Sequence, residues 1–90
     1  MAKADVDPAE LRRFARELNR FNGELEGLLS RLHGRLLGLQ KSWQDQEQIK
    51  FAEEFEQTMK VLSRFVESSN QHASFLVKKA RHIDDYLQQR

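Results

Sequence analysis

The stretch Lys41-Ser42-Trp43-Gln44-Asp45-Gln46-Glu47-Gln48 decides how this chain folds, because one helical heptad pattern runs into it and a second runs out of it. Asp45 followed by Gln48 has the form of a helix N-cap, a carboxylate placed to accept free backbone amides, and Ser42 with Asp45 offers a competing cap one turn earlier. Either choice restarts a helix at about residues 43 to 46. The chain is therefore expected to be one domain over 1–90, with helix 1 at about 8–40, a turn at about 41–45 and helix 2 at about 46–88.

Working back from the turn, Asp7-Pro8-Ala9-Glu10 reads as the first helix start: Asp7 as cap, Pro8 at the first helical position and Glu10 as the second half of a capping box. Leu11, Phe14, Leu18, Phe21, Leu25, Leu28 and Leu32 then follow a 3-4 alternation that lines one seam. Beyond Leu32 the stripe drifts by one residue to Leu36, Leu39 and Trp43, as a straighter helix of about 3.6 residues per turn requires. All four glycines, Gly23, Gly27, Gly34 and Gly38, lie in this arm. Their two pairs, each four apart, would let another helix approach closely; alternatively they are only tolerated away from the seam, or Gly38 ends the helix as a C-cap.

Working forward, Ala52, Phe55, Met59, Leu62, Val66, Ser69, Ala73, Leu76, Ala80, Ile83 and Leu87 keep the alternation unbroken, with no proline or glycine to interrupt one long helix. Folding back near Trp43 brings Leu32 opposite Phe55, Leu28 opposite Met59, Leu25 opposite Leu62 and Phe21 opposite Val66, with Phe14 and Leu18 against the smaller Ala73 and Ser69. The expected hairpin core is thus Leu11, Phe14, Leu18, Phe21, Leu25, Leu28, Leu32, Phe55, Met59, Leu62, Val66 and Leu76. Phe51, Val61, Phe65 and Phe75 on the second arm, with Leu29, Leu36 and Trp43 on the first, exceed what one hairpin covers and are assigned to a dimer interface. The fold class that follows is all-α, an antiparallel two-helix hairpin dimerising into a four-helix bundle.

Composition sets limits consistent with this. Ninety residues make a small domain with a thin core, and the chain has no cysteine to reinforce it, so association is the expected remedy. Fifteen basic against 14 acidic residues leave no field for a phosphate backbone, so nucleic acid is not an expected partner. No apolar run approaches the roughly 20 residues that span a bilayer, and no apolar segment follows Lys3 to make a secretory signal; membrane insertion and Sec export are not expected.

A search for chemistry returns little. His33, His72 and His82 have no i+4 ligand partner, and no HExxH occurs. Glu53-Glu54 and Asp84-Asp85 point about 100° apart on a helix, which is poor geometry for an acid and base pair. The glycines follow no phosphate-binding spacing. No catalytic, metal or cofactor residue is assigned, and the protein is expected not to be an enzyme. Arg12, Arg16 and Arg20, with Lys78, Lys79 and Arg81 near them at the open end, form a basic ridge open to an acidic partner or an anionic membrane surface, or simply a solvated face threaded by Glu17 and Asp84.

Two heptad helices with Ser42-Trp43 at the turn and Phe51 and Phe55 just beyond resemble the WXG family of small ESAT-like proteins linked to type VII secretion. The resemblance spans nearly the whole chain and is anchored on the turn motif, Trp43 and Asp45; Trp43-Gln44-Asp45 stands where the family has Trp-X-Gly. The family's C-terminal export signal pairs a tyrosine with an acidic residue four positions on, whereas Tyr86 meets Arg90. What the resemblance implies is a non-enzymatic binding protein, an antiparallel homodimer or one of a pair of WXG-like chains, acting as a secretion substrate or as an adaptor for secretion machinery or a client. The alternative is a cytoplasmic scaffold dimer with no part in secretion. The compartment stays open between the cytoplasm and export by a non-Sec route.

Overall fold

The computed structural model describes residues 6–88; positions 1–5 and 89–90 of the expected domain lie outside the described residues. Two helices, α1 (Pro8–Leu39) and α2 (Gln46–Gln88), pack side by side, and no strand occurs among the described residues. The hairpin is a rod about 69 Å long and 20 by 14 Å across, with a radius of gyration of 20.2 Å.

Local chemistry sets each end. The Asp7 carboxylate accepts from the Ala9 amide at 2.9 Å and Pro8 opens α1, so a donor-poor residue sits where the helix has no use for its amide. Glu10 faces Arg13 at 3.6 Å instead of reaching back to the cap. At the turn, Asp45 Oδ1 accepts from the Gln48 amide at 2.9 Å, which makes Asp45 the cap of α2, while Ser42 Oγ donates to the Leu39 carbonyl. Helix α1 closes at Gln40, still in right-handed geometry, and no residue among those described has a positive φ. Asp45 therefore stands in the family's glycine position at no conformational cost, and Gly38 lies within the last turn of α1, whose C-cap is Gln40.

The seam of α1 differs from the expected one. Ala15, Asn22, Leu29 and Leu36, spaced by sevens, are the buried column, with Leu11, Leu18 and Leu25 half-buried beside them. Phe14, Phe21, Leu28 and Leu32, assigned to the core by size, are instead about half exposed, whereas Leu29 and Leu36, assigned to a dimer interface, are 7% and 5% exposed. The reason is steric. Helix axes in contact lie about 8 to 10 Å apart, and the facing column of α2 is Ala52, Val66, Ser69, Ala73 and Ala80. Small residues permit that approach. A phenylalanine ring between the axes would force them apart, so the stripe rotates by one residue and sets its rings on the flank. On α2, Phe55, Met59, Leu62 and Leu76 are half-buried along this column.

A methyl group added at Gly23, Gly27 or Gly34 would meet nothing within 4 Å. These positions are tolerated, and no other part of the hairpin approaches them. Gly27→Ala is expected to raise stability by about 0.5 to 1 kcal/mol, measured by urea denaturation, because alanine loses less backbone freedom on entering a helix.

Candidate protein-docking face

Rotating along each helix from the seam separates two faces with different chemistry. On one side, Phe14, Phe21, Leu28 and Leu32 of α1 lie alongside Phe51, Val61, Phe65 and Phe75 of α2, all exposed. The two helices meet on this side through Phe21 and Phe65, edge to face with centroids 6.4 Å apart. Toward the open end, Phe14, Leu18, Phe65, Phe75 and Leu76 line an apolar groove of about 420 Å³ whose polar members are Ser68, Ser69 and His72. Toward the turn, the half-buried Trp43 leans on Phe51 at 5.9 Å, and Phe51 stacks on Phe55 at 5.6 Å. Trp43 thus packs on the second helix of its own chain, through a three-ring stack that closes the end of the hairpin.

The opposite side holds the polar contacts between the helices, with Leu37, Ile49 and Val77 exposed among them. Arg12 pairs with Asp84, and the His33 imidazole lies 3.4 Å from the Glu56 carboxylate. Asn22 donates from Nδ2 to Asn70 Oδ1 at 2.9 Å across the seam. A shallower groove on this side is lined by His33, Glu56, Lys60, Ser63 and Arg64 among others. Among the described residues no group of three His, Cys, Asp or Glu is placed to hold a metal ion, and no helix is long and apolar enough to cross a membrane.

The structure therefore gathers Phe51, Val61, Phe65 and Phe75 of the expected interface set on one exposed face. It moves Leu29 and Leu36 inside, and adds Phe14, Phe21, Leu28 and Leu32 in their place. Sequence reasoning missed Asn22 altogether. Its signal was available: it sits seven residues from both Ala15 and Leu29, in the column an apolar search passes over because its members at that level are small or polar.

The molecule is thus an all-helical hairpin with its exposed rings gathered on one face and an aromatic stack at the turn. Proteins of 100 residues with WXG, the WXG100 family, match it over residues 3–86. The chain belongs to the WXG100 family, helical proteins associated with type VII secretion. Among solved structures it is similar to the wild-type secreted protein EsxB of Bacillus anthracis str. Sterne, at 26% identity and a TM-score of 0.83 over 94% of this chain and 99% of that one. The selenomethionine-labelled form of EsxB matches with a TM-score of 0.81 over 96% of this chain and 98% of that one, again at 26% identity. No curated protein matches.

Proposed function

We propose that this protein acts without catalysis, as a dimer that binds other proteins in type VII secretion, as substrate or adaptor, and that its apolar face is where a second copy docks. The observation that supports the reading is the face itself: the exposed phenylalanines line one side of the hairpin together with Leu28, Leu32 and Val61, and a row of half-exposed rings is the anatomy of an interface core. Two such faces together form the four-helix bundle whose stripe width the sequence already implied.

Charge supports a second copy in the antiparallel sense. Residues 1–22 and 68–90 together carry a formal +3, and residues 23–67 carry −2. Opposed hairpins set each basic end beside an acidic one, and a twofold pairing of this kind closes on itself. EsxB is described as a secreted protein, and we extend that role to this chain as part of the proposal.

Sedimentation equilibrium at micromolar concentration is expected to give twice the mass of the 10.6 kDa chain. Phe65→Asp, on the exposed flank, is expected to keep its helicity and weaken the dimer by at least about 2 kcal/mol, roughly thirtyfold in dissociation constant. A parent protein that stays monomeric, or a Phe65→Asp variant that dimerises as tightly as the parent, sinks the reading. So does a chain that associates only with a different WXG-like partner.

A further inference from the structure

Asn22 is 1% exposed and, with Val66, is one of the two largest fully enclosed side chains in the hairpin. Its Nδ2 donates to Asn70, and its Oδ1 has no hydrogen-bond partner among the described residues. A half-satisfied amide in the middle of a helix seam lowers stability compared with a leucine, so its presence calls for a role in specificity. The apolar pattern leaves such a role open. Moving α2 by seven residues carries Leu62 to Ser69, Val66 to Ala73 and Ala73 to Ala80, seam position onto seam position, so the heptad pattern admits the second register, although Met59 and Leu76 then fall where Ala52 and Ser69 stand.

Neither direction of slip reproduces the pair. Pairing Asn22 with Ser63 in place of Asn70 draws the connection 40–45 back by about 10 Å along the rod and offers only a hydroxyl on a side chain shorter than the Asn70 amide. The other slip lengthens the connection, and the last turns of α1, weakened by Gly34 and Gly38, could unwind to supply the slack. That slip brings Val77, whose side chain carries no acceptor, to the level of Asn22.

We propose that the Asn22–Asn70 pair is a register pin: it favours the observed register over a heptad slip in either direction, and so fixes which aromatic residues meet on the front of the hairpin. At the same level, Phe21 sits edge-on to Phe65 on the other side of the seam. A slip of seven residues moves Phe65 about 10 Å along the rod at 1.5 Å per residue, which breaks that pair and the groove beside it. The pin itself concerns one chain; its value for docking rests on the reading of the apolar face given above.

The test places cysteines at the exposed Asn19 and Gln57, neither of them on the apolar face, in a chain with no other cysteine, and labels both with spin probes. Labelled chain is diluted into a tenfold excess of unlabelled chain, so that only separations within one hairpin are read. The parent is expected to give a single separation. Asn22→Leu is expected to keep its helicity and show a second population displaced by about 10 Å, the length of the slip, longer for the Val77 register and shorter for the Ser63 register. Asn22→Ala, which cannot be overpacked, is expected to show the same second population. A single unshifted separation in both helical variants overturns the pin, whatever their state of association.

Discussion

Leu29→Ala is expected to destabilise the hairpin by about 2 to 5 kcal/mol, while Leu28→Ala, one residue earlier, costs less than about 1 kcal/mol in the unassociated chain. The two residues share chemistry and helix, and differ in what surrounds them. Leu29 is 7% exposed in the column facing α2, so truncating it removes contacts and leaves a cavity between two helices that have little else to fill it. Leu28 is 49% exposed, and the space it vacates is open to water. Urea denaturation at a concentration low enough to keep the protein monomeric measures both. Equal losses would show that α1 presents a different column to α2 from the one described.

Val66→Asp is the second large effect. Val66 is 2% exposed at the centre of the rod, beside Ser69 and far from any helix end. A carboxylate there has no cation to meet, and an unpaired buried charge costs about 3 to 5 kcal/mol. That is a large share of the roughly 5 to 15 kcal/mol that stabilises a small domain. The variant is expected to lose most of its helical signal at neutral pH. Burial raises a carboxyl pKa, so the penalty is present in full above the folded-state value and fades as pH falls toward the unfolded-state value. Helicity is thus expected to recover on mild acidification. Circular dichroism against pH measures this, and a variant fully helical at pH 7 would mean that Val66 is not enclosed. The contrast with Phe65→Asp is informative, since adjacent positions should separate folding from association.

The sequence made the hairpin legible because both helix starts carry caps whose mechanism is local, Asp7 before Pro8 and Asp45 before Gln48, and because the turn falls where two heptad patterns break. The α2 stripe was equally readable, with Val66 inside and Phe65 outside, since its seam contains small residues that leave one consistent column. The α1 seam was not. Its apolar stripe is wide enough to contain two candidate columns one residue apart, and side-chain size favours Phe14 and Phe21. The choice is made by how closely α2 approaches, which is a property of the pair and cannot be read from α1 alone. The same limit hid Asn22. A polar residue in a heptad column looks like a solvent position until its neighbours at Ala15 and Leu29 prove to be buried.

The slenderness of the rod changes how the molecule travels in solution. A compact chain reaches a radius of gyration of 20.2 Å only at a length of roughly 340 residues, nearly four times the length of this one. A gel-filtration column sorts by hydrodynamic size, so the lone hairpin will elute well ahead of a globule of its mass and will pass for an oligomer. Side-by-side pairing thickens the rod with little gain in length when the two copies overlap fully, so the dimer will elute only slightly earlier than the single chain. Elution volume is therefore a poor witness to association for this shape, and the count of chains must come from a measurement of mass.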